Sequence, residues 1–297
     1  MNAVVAARDA IRLGGMALSN GVLVHGPTAW ACAVRTAGGE VEVVARRKRL
    51  MADNFAVQPS IAVKENTGDS LTAATALGAA VNAEHQAPAF LVPQSIMENA
   101  DGTIDRWLHS WDRAKPGQIA VNMQGKRFAN EAQSYHKFCQ EMQKLGAVPA
   151  YLICDADHLK KWGYGLIRPA TRNLKPYIDN GYLKAGATIE DLAKAIKIDP
   201  ATLKGTVSRF NAACRTGIDT DFHRGESPVD KINGDAANKP NPCMGPLAVG
   251  PFYAIEIWPG DIGTSIGLKT TIDAQVVDEN DRPIRGLYAC GNDMSSV

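Results

Sequence analysis

Along this chain short apolar runs alternate with polar, glycine-rich stretches, and the spacing of the apolar positions changes from two to three or four at definite points. Val4, Val5, Ile11, Leu13 and Met16, set among alanines, predict a helix over 3–18 that ends near Asn20-Gly21, with Gly14-Gly15 weakening its second half. Val22-Leu23-Val24, Ala31-Cys32-Ala33-Val34 and Val41-Glu42-Val43-Val44, with Gly38-Gly39 as a turn, predict a small antiparallel meander. The alanine-rich stretch from Leu71 to Val81 predicts a helix capped by Asn66 or Thr67, with Gly68 permitting a close backbone approach. Ile119 to Met123, then Gln124-Gly125, then Arg127-Phe128-Ala129, read as a two-residue hairpin. From Ser134 the spacing of Tyr135, Phe138 and Met142 becomes helical, so Tyr135 falls at a strand-to-helix junction, a place that can hold a side chain over a cleft.

Two further helix starts carry their own punctuation. Thr188-Ile189-Glu190-Asp191 opens a short helix through Ile196 in the manner of a capping box. Asp199-Pro200 is a cap followed by proline at the first helical position, and the helix runs to about Arg215 before Gly217 stops it. Leu203, Val207, Phe210 and Cys214 recur three or four apart along it, the stripe of a packed helix rather than of a site.

Composition narrows the classes. With 297 residues the chain can form one large or two ordinary domains, and a formal charge of +1 argues against a nucleic-acid-binding or polybasic membrane role. The basic cluster Arg46-Arg47-Lys48-Arg49 reads as a solvated loop. The six cysteines show no CxxC pair and no metal-ligand spacing, so no metal site and no disulfide framework is expected. No apolar run approaches the roughly 18 residues of a membrane span, and the start of the chain lacks a secretory pattern; a cytoplasmic protein is the expectation. Trp107, His109 and Trp111 form a local aromatic group read as core, with a pocket lining as the competing reading. His158 and His223 are read in polar loops, with no partner at ligand spacing.

The run containing the predicted hairpin has a more specific content. Asn122, Gly125, Arg127, Phe128, Asn130 and Glu131, with Tyr135 four positions after the glutamate, form the pattern Asn-x-x-Gly-x-Arg-Phe-x-Asn-Glu. It resembles the cap-domain motif of the FAD-dependent fumarate reductase and 3-ketosteroid dehydrogenase superfamily. In fumarate reductases the slot of Tyr135 carries an arginine proton donor; in ketosteroid 1-dehydrogenases it carries a tyrosine. Thr67-Gly68-Asp69 resembles the family's Thr-Gly-Asp-Gly segment, whose aspartate touches FAD, with Ser70 in place of the last glycine. Gly267-Leu268 resembles part of the segment crossing the isoalloxazine. Ala274 to Asp278, the Glu279-Asn280-Asp281 turn and the stretch from Pro283 to Gly291-Asn292 resemble the late hairpin and cofactor strand. Gly263 stands where fumarate reductases place a substrate-binding histidine, and Asn292 where they place a glutamate.

The resemblance implies an α/β fold with an α+β cap: a partial Rossmann-like FAD-binding domain over 1–81, a cap or substrate domain over 82–250, and a return segment of the FAD-binding domain over 251–297. It implies FAD as cofactor, held by Thr67, Gly68, Asp69, Gly267, Leu268, Gly291 and Asn292, with Tyr135 catalytic. Tyr135, Tyr253 and Gly263 are implied at the substrate, core packing being the competing reading of Tyr253. The expected reaction is dehydrogenation of a C–C bond next to a ketone in an apolar, steroid-like substrate, or the reverse reduction, with an external electron acceptor. A phenol with a pKa of ~10 is a poor base at neutral pH, so a tyrosine needs a lowered pKa or a relay to act as one, while its protonated form serves as an acid. The chain lacks the family's Gly-x-Gly-x-x-Gly fingerprint and its Gly-Gly flavin strand, and Ser295-Ser296-Val297 precedes the family's closing motifs. It is therefore expected to be truncated at both ends. The alternatives are an inactive fragment that does not retain FAD and a fumarate-reductase-like enoate reductase.

Overall fold

The structure, a computed structural model, describes residues 14–18, 21–25, 29–35, 40–47, 60–62, 66–82 and 89–295. Residues 3–13 of the expected N-terminal helix, the Gly38-Gly39 turn and Lys48-Arg49 lie outside them. The chain divides into two compact units, one of Met1–Ala56, Ala62–Phe90 and Gly263–Val297, the other of Val57–Ile61 and Leu91–Ile262.

In the first unit β1 (Gly14–Leu18), β2 (Gly21–His25), β3 (Ala29–Arg35) and β4 (Val41–Arg47) form an antiparallel meander in that order. The meander is the expected one from β2 onward. The second half of the expected N-terminal helix is instead β1, which runs from Gly14 opposite His25 to Leu18 opposite Gly21. Two glycines are costly in a helix, and here the segment gains a strand partner. Arg46 and Arg47 close β4 rather than a loop. α1 (Asp69–Ala76) is followed by β5 (Val81–Asn82), which pairs with β12 (Gly267–Leu268). β13 (Gln275–Val277) and β14 (Pro283–Tyr288) make the late antiparallel hairpin. Ala74, Ala79, Leu268, Val276, Leu287 and Ala289 form the small core beneath these elements.

The second unit is built on a six-stranded sheet in the order β7-β6-β11-β9-β8, with β10 also paired to β11. These strands are β6 (Ala89–Glu98), β7 (Ile104–Leu108), β8 (Gln118–Val121), β9 (Ala150–Cys154), β10 (Leu183–Gly186) and β11 (Phe252–Thr264). Alternate residues of β8, β9 and β11 enter different cores. Ile119, Val121, Tyr151, Ile153, Phe252 and Ala254 pack with α5 (Ile189–Ala195) and α6 (Pro200–Thr216). Ala120, Leu152, Cys154, Tyr253 and Ile255 pack with α2 (Tyr135–Lys144) and α3 (Ala156–Trp162). Apolar side chains on both faces explain why these strands read as unbroken apolar runs in the sequence. α4 (Lys175–Asp179) and α7 (Pro228–Asn233) complete the unit.

The caps of α5 and α6 are those expected: Thr188 accepts from Asp191 N at 3.1 Å and Asp199 from Thr202 N at 2.8 Å. Leu203, Val207, Phe210 and Cys214 are all buried. The hairpin at 124–125 is not formed. Asn122 Oδ1 accepts from Gln124 N and Lys126 N, which turns the chain, but β8 pairs with β9 and residues 127–129 form no returning strand. His158 is not in a loop but in α3, buried, with Nδ1 2.7 Å from Pro116 O.

Candidate functional site

The first unit gathers the residues assigned to the cofactor around the start of α1. The helix begins at Gly68, φ 76°, with no side-chain cap. Thr67, expected as a cap, donates instead to Asp69 Oδ1 at 2.8 Å, and Asp69 is buried. The dipole of an uncapped helix start favours an anionic group. Ser70 Oγ donates to Asp293 Oδ1 at 2.5 Å, tying α1 to the 3-10 turn Gly291–Asp293. Asn292 in that turn is exposed, and a Cβ built on Gly263 would stand 3.4 Å from its Nδ2. The two positions that the resemblance singles out, Gly263 and Asn292, are therefore neighbours, and a Cβ at Gly263 would stand in van der Waals contact with the Asn292 amide. Gly267 acts through close packing instead. A Cβ there would fall 2.4 Å from the carbonyl carbon of Met294, so β12 and the 294–295 backbone close together only over glycine. Leu268 O accepts from Ser295 N at 3.0 Å while the Leu268 side chain enters the core.

The second unit carries Tyr135. Ser134 caps α2, accepting from Lys137 N, and Tyr135 is its first residue. The half-buried phenol ring lies edge-on to Trp111, centroids 5.7 Å apart, and its hydroxyl forms no hydrogen bond with another described residue. Trp107 and Trp111 are 43% and 56% exposed, so the aromatic group expected as core is core only at His109. Next to Tyr135, His136 Nδ1 accepts from Leu91 N at 3.1 Å, and burial lowers its pKa.

The rest of the motif is scaffold. Arg127 bonds both oxygens of Glu131, at 2.8 and 2.7 Å, and both of Asp219, at 3.0 and 2.9 Å. Glu131, fully buried, also accepts from Arg224 at 3.1 Å and from Ala120 N at 3.1 Å. Burial opposes the charge on Glu131, but Arg127 and Arg224 outweigh it and hold the carboxyl below its usual range. Asn130 donates to Asp230 at 2.9 Å. Arg113, Asp219 and Arg224 do not stand out in the sequence, where they lie 18 to 93 positions from Glu131 and no local spacing links them to it. Tyr253, on β11, is buried in the core with Phe138, Tyr164 and Tyr182, and burial raises its pKa.

The sequence profile described as an FAD binding domain matches residues 20–297. The chain belongs to this FAD-binding family. It is 37% identical over 241 residues to 3-oxosteroid 1-dehydrogenase of Mycolicibacterium smegmatis, a match covering 78% of this chain and 41% of the relative. It is 40% identical over 241 residues to 4-oxocyclohexanecarboxylate 2-dehydrogenase of Sinomonas cyclohexanicum, again 78% of this chain and 41% of the relative. The crystal structure of 3-ketosteroid delta1-dehydrogenase from Sterolibacterium denitrificans in complex with 1,4-androstadiene-3,17-dione superposes with a TM-score of 0.74 at 31% identity, covering 95% of this chain and 53% of that one. The chain thus spans about two fifths of the length of the two dehydrogenases it matches. FAD is the family's cofactor. The first unit offers chemistry that fits it: an uncapped helix start for an anionic group, and an exposed amide at Asn292 beside the bare backbone of Gly263. Among the described residues no group of side chains could hold a metal ion, and no helix is long and apolar enough to cross a membrane.

Proposed function

We propose that the chain serves an FAD-dependent oxidoreductase that dehydrogenates a C–C bond next to a ketone in an apolar, steroid-like ring, or runs the reverse reduction, with an external electron acceptor. The observation that carries this reading is Tyr135. It opens α2, its hydroxyl is uncommitted among the described residues, and an exposed indole stands against its ring. Bound flavin supplies the acceptor for hydride from the carbon beside the one that loses a proton. Tyr135 moves that proton: as the protonated phenol it donates it in reduction, and in dehydrogenation it takes it as the phenolate, its own proton having first passed to solvent. Thr67, Gly68, Asp69 and the start of α1, with Gly291 and Asn292, would hold the flavin, Gly263 would stand at the substrate, and Gly267-Leu268 shapes the backbone behind that turn.

The side chains at the two slots singled out by the resemblance, Tyr135 and Gly263, favour an apolar ketone over a dicarboxylate. A buried dianion needs cations to offset its lost hydration. Neither Tyr135 nor Gly263 supplies a cation, and Arg127 is already paired with Glu131 and Asp219. The test is Tyr135→Phe in FAD-loaded protein, assayed with a steroid ketone and an artificial electron acceptor. Flavin content should be unchanged and kcat should fall about a hundredfold. An unchanged rate removes Tyr135 from the reaction.

A further inference from the structure

The turn that carries Trp111 is anchored by a buried chain of hydrogen bonds that the reaction does not use directly. Leu166 N lies 3.0 Å from Tyr182 Oη, Tyr182 Oη 2.7 Å from Ser95 Oγ, Ser95 Oγ 2.8 Å from His109 Nε2, and His109 Nδ1 2.6 Å from Asp112 Oδ2. The order Ser-His-Asp suggests a hydrolytic triad. Ser95 and His109 are fully enclosed, however, and the Tyr182 hydroxyl lies against the serine oxygen, so no acyl group reaches it.

The chain has a fixed direction. The Leu166 amide can only donate and the Asp112 carboxylate only accept. All four bonds are satisfied together in one arrangement: Leu166 N–H to Tyr182, Tyr182 O–H to Ser95, Ser95 O–H to His109 Nε2, and His109 Nδ1–H to Asp112. In that arrangement His109 donates from Nδ1 and accepts at Nε2. A proton on Nε2 would reverse the two middle bonds and leave the Tyr182 O–H without an acceptor among these groups.

The next residue extends the anchor toward Tyr135. Arg113 Nε donates to His109 O at 2.6 Å, and the same guanidinium donates to Glu131 O at 2.7 Å and Gln133 O at 3.1 Å, on the segment running into α2. It also lies 4.5 Å over the Phe138 ring of that helix. Trp111 stands between the two anchored positions, edge-on to Tyr135.

We infer that His109, Ser95 and Tyr182, acting with Arg113, are positioning residues: the one-way chain fixes the turn at 109–113, which sets Trp111 against Tyr135 and so fixes where the Tyr135 hydroxyl meets its substrate. This rests on the role proposed for Tyr135. The test is a double-mutant cycle of Ser95→Ala with Tyr135→Phe in FAD-loaded protein, with steroid ketone turnover as one readout. Ser95→Ala should lower kcat about tenfold at unchanged FAD content, and have little further effect once Tyr135 is Phe, because both changes act through one hydroxyl. The second readout needs no turnover. In protein labelled with 3-fluorotyrosine, the Tyr135 ¹⁹F resonance should move in Ser95→Ala, and ¹⁵N spectra of the unsubstituted protein should show His109 protonated on Nδ1. Should Ser95→Ala not fold, Tyr182→Phe, which deletes one hydroxyl at the far end, is read the same way. A tenfold loss that persists in full in the Tyr135→Phe background, a ¹⁹F resonance that does not move, or His109 protonated on Nε2 overturns the inference alone. A Tyr135→Phe variant with normal turnover overturns the functional reading, and this inference with it.

Discussion

Glu131→Gln is the sharpest test of the scaffold that presents Tyr135. The substitution keeps the volume and removes one charge from a carboxylate with no exposed surface. Arg127 retains Asp219, 2.9 Å away, but Arg224 loses the carboxylate its guanidinium bonds and keeps only carbonyl contacts to Gln118, Arg113 and Lys115. Arg224 is fully buried, so its charge is left uncompensated, a situation that costs about 3–5 kcal/mol. In a unit of this size each kcal/mol moves the midpoint by about 2–4 °C, so thermal unfolding followed by circular dichroism should shift down by about 10 °C. The exposed pair Lys175–Asp179, 2.6 Å apart, is the control: Asp179→Asn should cost no more than about 0.5 kcal/mol. The acid side adds a check of sign. Because the Glu131 carboxyl titrates below its ordinary 4.5, its contribution is complete above that pH and is lost as pH falls through the lower folded value. The Gln variant should therefore lose less stability on acidification than the parent. A cost below about 1 kcal/mol would refute the assignment of Glu131 as the hub of the motif.

Three further outcomes follow from the geometry. His158 is buried and its pKa is depressed from 6.5 to about 4, so the unfolded chain takes up its proton first and the fold loses stability as pH falls between those values. Denaturant titrations at pH 7.5 and 5 should show about 2 kcal/mol of loss that is absent in His158→Gln; equal losses would refute it. Gly267→Ala, with its Cβ 2.4 Å from Met294 C, should destabilise the first unit by about 1–3 kcal/mol, whereas Gly291→Ala meets nothing within 4 Å and should cost about 1 kcal/mol from its backbone conformation alone. Equal costs would mean that the 294–295 backbone yields freely. Asn292→Ala should release FAD on desalting, read from the visible spectrum, and full retention would argue against its contact with the cofactor.

What is legible in the sequence is local. Thr188 and Asp199 announce their helices because a cap and the amide it binds lie three residues apart. Leu203, Val207, Phe210 and Cys214 show the buried stripe because a helix repeats its face. The strand at Gly14–Leu18 reads as the end of a helix because the apolar positions before it carry a helical spacing that outweighs Gly14-Gly15 until a partner is known, and its partner is β2. Arg127-Phe128-Ala129 reads as a strand, yet Arg127 is drawn to two carboxylates, one of them 92 residues away. His158 reads as polar and solvated, but the Pro116 carbonyl that accepts it is 42 positions distant. The motif leads to Tyr135, while the groups that hold Tyr135 in place stay hidden because they meet only in the folded chain.

The distance in sequence between Glu131 and Arg224 also sets an order of events during synthesis. The two are 93 residues apart, and at about 5–20 residues per second roughly 5–20 s separate their emergence from the ribosome. Until Arg224 arrives the Glu131 carboxylate has only Arg127 of the two guanidiniums that the finished fold sets against it, and the buried network that ties residue 131 to residue 224 is incomplete. The segment that carries Tyr135 is thus assembled late although it is made early, and a stalled chain ending between those two positions should expose it to proteases.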